Sequence, residues 1–340
     1  MKKLLSLLLV LSFLLCGCAA RQEAPAEKQY TATFLTLFDT VTTIVGRAQS
    51  EEEFQQKAQA VHDELELYHH LFDIYNDYEG INNLKTVNDN AGVAPVEVDE
   101  RIISLIRDCM AYYEGTNHRV NVAMGSVLQL WHEARNDGLN DPANACLPDE
   151  AALQEAAQHA SFDNVIIDEA ASTLYLSDPA MRLDVGAIAK GWSVQRVAES
   201  APGGLLISVG GNVCATGPKA EDTPWVIGVQ NPDGDDYLHT LYLSKGSVVT
   251  SGDYQRAYNV NGKTYHHIID PDTLYPASHW RAVTVVCDDS GTADALSTAL
   301  FLLPRAEGQA LLTQYKAEAC WVQADGSILY SPGFQALIRT

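Results

Sequence analysis

The sequence predicts an α+β fold, with mixed, largely antiparallel sheets and helices packed against them. Three observations carry that expectation. Strand-like segments follow one another as hairpins, at 165–176, 254–269 and 320–330, instead of alternating singly with helices as in a doubly wound parallel sheet. Amphipathic helices with identifiable caps stand between those hairpins. About 310 residues follow the N-terminal leader, enough for one large domain with a substantial core, and no internal repeat or long low-complexity linker divides them.

The elements follow in order. Met1-Lys2-Lys3, the apolar run Leu4–Leu15 and Cys16-Gly17-Cys18 form a secretory signal too short to span a membrane permanently. Leu15-Cys16-Gly17-Cys18 resembles the bacterial lipobox, so residues 1–17 are expected to be removed and Cys18 acylated. A plain signal peptide cut near Ala20 is the alternative. Residues 18–29 are small and polar, a tether, and 30–340 form the domain. The chain is then expected at the bacterial cell membrane, lipid-anchored on the extracytoplasmic face. Phe34–Val45 is β-branched and aromatic, hence strand-like. Phe54, Ala58, Val61, Leu65 and Tyr68 recur at helical spacing over 52–71. Residues 73–83 are a polar loop. Asp99 caps a second helix, Asn121–Trp131 leads into a short one, and Asp149 caps another reaching about Ala160. Hairpin 165–176 follows. Arg182–Gly191 runs from a strand end through a glycine turn into a helix to about Ser200. Leu205–Val209 is a buried strand ending in Gly210-Gly211-Asn212, where backbone could approach a ligand closely. Strands 225–229 and 238–243, strand 283–286, a helix near 307–314 and hairpin 320–330 complete the chain.

The densest chemistry lies between Ser251 and Thr298. Strands 254–260 and 263–269 are joined by Asn261-Gly262, a dipeptide suited to a type I′ turn, and Asp270-Pro271 closes the second strand. A helix capped by Ser290 or Thr292 then runs to Pro304. Asp294 and Thr298 stand at i and i+4 on one helix face. They are either two hard oxygen ligands suited to Mg²⁺ or a dipole-stabilising acid beside an ordinary helix residue. Adjacent strand residues face opposite ways, so only one of His266 and His267 can enter a site. The net charge of −22 argues against nucleic acid and against electrostatic docking on anionic lipid. Cys109, Cys146, Cys214, Cys287 and Cys320 are widely spaced with no C-x-x-C, supporting neither a zinc site nor a disulfide framework.

L-D-V-G-A-I-A-K-G at 183–191, S-V-G-G-N at 208–212, T-S-G-D-Y at 250–254, H-I-I-D-P at 267–271 and A-D-A-L-S-T-A-L at 293–300 occur together in this order. Over roughly residues 30–335 the chain closely resembles the ApbE-type flavin transferases, the FAD:protein FMN transferase family. The resemblance implies that FAD is split, that FMN passes to a Thr or Ser hydroxyl of a target protein, and that AMP is released. It implies targets with FMN-binding domains, such as subunits of Rnf-type complexes or of sodium-translocating NADH:quinone reductase. It places Mg²⁺ on the Ala187 carbonyl, Asp294 and Thr298. It gives Asp184, Lys190 and Ile268 contacts to FAD, and sets His267 beside the reacting phosphate as the candidate base. Tyr75 aligns with a flavin-contacting tyrosine. Phe38-Asp39-Thr40 stands where many members have Met-Gly-Thr, and Ala123-Met124-Gly125-Ser126 where they have Thr-Val-Gly-Pro. An FAD pyrophosphatase and a non-enzymatic FAD-binding lipoprotein are the rival expectations.

Overall fold

The computed structural model describes residues 26–339. The expected signal peptide and the expected acylation site, Cys18, lie outside the described residues. Lys28 and Gln29, expected in the tether, already pair with Ala48 and Arg47. In chain order the strands are β1 (Lys28–Phe34), β2 (Thr42–Ala48), β3 (Val96–Glu97), β4 (Val165–Asp168), β5 (Thr173–Leu176), β6 (Leu205–Val209), β7 (Asn212–Ala215), β8 (Trp225–Gln230), β9 (Tyr237–Leu243), β10 (Gly246–Gly252), β11 (Tyr258–Val260), β12 (Lys263–Tyr265), β13 (Ala282–Cys287), β14 (Glu318–Val322) and β15 (Ile328–Tyr330). The helices are α1 (Glu51–Phe72), α2 (Leu84–Asp89), α3 (Glu100–Gly115), α4 (Gly125–Asn140), α5 (Glu150–Ala157), α6 (Ala189–Ser200), α7 (Ser290–Leu302) and α8 (Arg305–Tyr315).

The centre is an eight-stranded sheet in the order β1-β2-β6-β7-β10-β13-β14-β15, and every neighbouring pair is antiparallel. Its two faces are read directly from alternation. Val249 and Trp321 face the main core with α1, α6 and α7, whereas Val248 and Cys320 face a second core under the β8–β9 hairpin. Successive strand side chains point to opposite faces, so both faces are covered. Helix α7 buries eleven of its thirteen residues, because it lies between the sheet and α6 and is apolar nearly all round. Burying Phe301 alone contributes roughly 1.5–3 kcal/mol. A third cluster joins α4 and α5 to the β11–β12 hairpin through Trp131, Leu153 and Tyr258.

The α+β expectation holds, and several local expectations are corrected. The single strand over 34–45 is two strands separated by a turn, with Phe38 and Asp39 at φ 52° and 53°. Asp39 is the position where the family resemblance has glycine, the residue that adopts positive φ without strain. The 254–269 hairpin has shorter strands than expected, but Asn261 and Gly262, at φ 51° and 82°, sit in left-handed backbone as a type I′ turn requires. The cap of α7 is Asp289, whose side chain accepts from Thr292 N–H at 2.7 Å, not Ser290 or Thr292. Helix α4 runs on to Asn140, well past Trp131. No strand forms at 182–184; a single parallel bridge joins Met124 to Arg182. The five cysteines of the described residues are free, four of them buried.

Candidate functional site

A cleft of about 410 Å³ opens where the α6 start, α7, the Gly210–Asn212 turn and the segments around 119–132, 250–256 and 267–269 converge. Asp294 sits in the second turn of α7, past the range of a first-turn dipole effect. It is 4 % exposed. Its Oδ2 accepts from Gly191 N–H at 2.8 Å and lies 4.0 Å from Lys190 Nζ. Continuing α6 one turn back would send that N–H to the Ala187 carbonyl; here it goes to Asp294. A buried carboxylate held by one short hydrogen bond and a distant ammonium is costly without further compensation. Thr298, one turn along, and Ala187 line the same cleft. A carboxylate, a hydroxyl and a carbonyl on one wall form an all-oxygen donor set, which fits Mg²⁺ and leaves positions for phosphate and water.

Gly191 makes that geometry possible. A Cβ there would lie 2.4 Å from both Asp294 Cβ and the Ser290 carbonyl oxygen. The second neighbour is backbone and cannot swing aside. Gly191→Ala is therefore expected to cost about 1–3 kcal/mol and to part α6 from α7, weakening FAD binding as well. Thermal denaturation beside an FAD titration checks it; an unchanged midpoint would contradict the close approach.

Asp184, Lys190, His267 and Ile268 are all on the cleft wall. Asp184 is buried, its Oδ1 accepting from Gly186 N–H at 2.9 Å, which shapes the turn entering α6. Lys190 Nζ donates to the Gly186 carbonyl at 3.2 Å. His266 is structural: Nε2 bonds to the Ala277 carbonyl at 2.8 Å and Nδ1 accepts from Ile268 N–H at 3.2 Å. His267 faces the cleft instead. Its Nδ1 is buried without a hydrogen-bond partner, a rare condition for a polar atom. Burial, reinforced by the nearby Arg256 and Lys190 charges and only partly opposed by the Gln255 backbone carbonyl, holds its imidazole down at about 3.

Residues 38–321 match the family model described as the ApbE family. The chain belongs to the ApbE family. It is 33% identical over 277 residues, three quarters of each chain, to an FAD:protein FMN transferase of Treponema pallidum. It is 31% identical over 289 residues to one of Klebsiella pneumoniae, covering 78% of this chain and 87% of that one. The crystal structure of an ApbE protein from Thermotoga maritima superposes with a TM-score of 0.80 at 32% identity, covering 92% of this chain and all of that one. A flavin transferase ApbE from Vibrio cholerae, at 21% identity and TM-score 0.74, shares the fold.

In this ApbE-family chain the other expected contacts divide. Phe38, Tyr75 and Met124 line the cleft; Ala123 and Gly125 do not. Ala123 is fully buried, its N–H bonded to Asn121 Oδ1 at 2.9 Å. Gly125 N–H reaches the Arg182 carbonyl at 3.1 Å, and a Cβ there would meet that oxygen at 2.6 Å. Both close the backbone behind Met124. Three further cleft residues are not assigned by the sequence reading. His132 joins Tyr75 Oη at 2.5 Å through Nδ1 and stands 4.0 Å from Asp184 through Nε2; burial lowers its pKa, against the pull of Asp184. Its signal is the i, i+4, i+8 stripe Met124, Leu128, His132. Asn212, whose Nδ2 is buried without a partner, follows the Gly-Gly turn directly. Arg256 carries φ 45°, backbone strain of the kind that collects at functional sites.

Proposed function

We propose that the chain is an FAD:protein FMN transferase that uses Mg²⁺, moves FMN to a Thr or Ser hydroxyl of an FMN-binding-domain protein and releases AMP. The observation that carries it is the placement of His267, with an unpartnered buried nitrogen, in the same cleft as Asp294, Thr298, Ala187 and Lys190. In the step, the acceptor oxygen attacks the FMN phosphorus, the phosphoanhydride P–O bond breaks, and its electron pair leaves with AMP. The hydroxyl proton passes to His267, whose buried ring is neutral near pH 7 and would become a stronger base once the negative FAD phosphates stand beside it and favour the imidazolium. Lys190 adds positive charge beside the phosphates, and the unpartnered Asn212 amide and the Asp184 turn orient the nucleotide. Phe38, Tyr75 and Met124 hold the isoalloxazine end. Mg²⁺ held by Asp294, Thr298 and the Ala187 carbonyl would neutralise the phosphate charge that repels an incoming oxygen.

Incubating the protein with FAD, Mg²⁺ and a purified FMN-binding domain tests this. Flavin that stays on the acceptor after denaturation, with AMP in solution and loss of both on chelation, is the expected result. Free FMN with an unlabelled acceptor would favour the pyrophosphatase, and intact bound FAD the carrier. The lipobox-like Leu15–Cys18 supports acylation at Cys18 and an extracytoplasmic membrane anchor, where Rnf-type or sodium-translocating NADH:quinone reductase subunits would be the acceptors. Cys18→Ser should then move the protein from the membrane to the soluble fraction; unchanged membrane recovery would exclude the anchor.

A further inference from the structure

The transfer joins two substrates, and the cleft just described accommodates the dinucleotide. A second groove, of about 300 Å³, lies between the β8–β9 hairpin and strands β7 and β10. We propose that it docks an extended, uncharged segment of the acceptor polypeptide and delivers that segment's hydroxyl to the phosphates; the inference rests on the transferase reading.

Position is the first reason. The groove and the cleft share Thr250 and Gln255 as a common wall. Next to Thr250, Ser251 Oγ bonds to Ser297 Oγ at 2.8 Å, on the helix that carries Asp294 and Thr298. Gly211 borders the groove while its neighbours Gly210 and Asn212 border the cleft. The groove therefore meets the cleft at its phosphate end. Phe38, Tyr75 and Met124, at the flavin end, do not border it. An acceptor arriving by this route reaches the FMN phosphorus without displacing the isoalloxazine.

The lining is the second reason. Gly211 leaves its backbone uncovered, with nothing within 4 Å of a Cβ there. Tyr237 lies over Gly228, where a Cβ would meet its ring at 2.4 Å, yet the residue is 64 % exposed. Among the described residues Asp235 is the one charged group of the lining. Among them, too, β8 pairs only with β9, which leaves its other edge open to an added strand. In an extended segment successive side chains face opposite ways and residues two apart face the same way, at about 7 Å. The hydroxyl can then enter the cleft while a residue two positions away rests on Tyr237. The walls are fixed in advance: Arg281 bonds Asp233 of the hairpin loop at 2.6 Å and Asp253 of the Ser251–Tyr254 segment at 3.0 Å. A preformed groove spares the acceptor part of the ordering cost.

Two measurements on the full chain test it, with an FMN-binding domain carrying its acceptor threonine as the probe. Gln230→Trp, which fills the groove, and Tyr237→Ala, which removes its platform, should each raise the KM for the acceptor domain at least tenfold. The FAD dissociation constant and the rate at saturating acceptor should stay as in the wild type. An unchanged acceptor KM in both variants would overturn the docking site. Occupancy is checked independently of turnover by photo-crosslinking from Gln230→p-benzoylphenylalanine, with Val93, exposed and lining neither cavity, as the control position. Crosslinking from 230 alone supports the groove even if no flavin is transferred, so failure of the transferase reading shows separately. Equal crosslinking from both positions, or none from 230, overturns it.

Discussion

Asp294→Asn is expected to lower FMN transfer about 10³-fold while the protein stays folded. The amide has the carboxylate's volume, and its oxygen can still accept from Gly191 N–H. What it lacks is charge, and it adds a donor where a cation would bind. A divalent ion stabilises a phosphoryl-transfer transition state by several kcal/mol, and each 1.36 kcal/mol is about tenfold in rate. The effect on folding is smaller, within about 1–2 kcal/mol, because the weaker neutral hydrogen bond to Gly191 is offset by relief of the buried charge. Transfer rate against Mg²⁺ concentration, beside a denaturation curve, separates the two. Raised Mg²⁺ demand with near-normal stability is the expected pair. Full activity at ordinary Mg²⁺ would remove Asp294 from the metal site.

His267→Ala is expected to bind FAD nearly as well as the wild type and to transfer FMN about 10²- to 10⁴-fold more slowly, the range for loss of a positioned proton acceptor. The wild-type kcat/KM should show no His267 titration between about pH 6 and 8, because in the free protein an imidazole held at about 3 is neutral throughout. The same residue leaves a mark on stability. Its folded pKa lies below the unfolded value near 6.5, so between about pH 3 and 6.5 the unfolded chain binds the proton and the folded chain does not. Stability from this group is therefore full above about pH 6.5 and falls as the pH drops through that window. His267→Ala should flatten the decline in stability between about pH 7 and 5. Urea midpoints at the two pH values report it; an unaltered slope together with an unaltered rate would leave the imidazole without a role.

The features carried by local chemistry are legible in the sequence alone. Asp99 and Asp149 cap the helices whose starts they mark, and Asn261-Gly262 makes its turn. The Asp294–Thr298 pair, Lys190 and His267 come together, as the motif order suggests. The rest is set by tertiary context. Gly246–Gly252 has no strand assigned from sequence, being Gly, Ser and Thr beside two valines, yet it is a central strand. Small residues belong there since α7 packs on one face and the β8–β9 hairpin on the other. Phe34–Val45 looks like one strand because β-branched residues flank the turn; nothing local announces that Phe38 and Asp39 adopt positive φ. Ala123 and Gly125 stand in a segment that keeps only the glycine of the family's Thr-Val-Gly-Pro, and their backbone is committed to Asn121 and Arg182, which spacing does not show. The Gly191 contact to Asp294 spans 103 residues, and only the packing of α6 on α7 creates it.

Crystals grown with FAD and Mn²⁺ in place of Mg²⁺ offer the most direct check, through an anomalous difference map. A peak should stand within about 2.0–2.3 Å of an Asp294 carboxylate oxygen, the Thr298 hydroxyl and the Ala187 carbonyl, with the FAD phosphates completing its shell and His267 facing them. A map with the ion elsewhere, or with FAD bound away from Asp294 and Thr298, would contradict the assignment of this cleft.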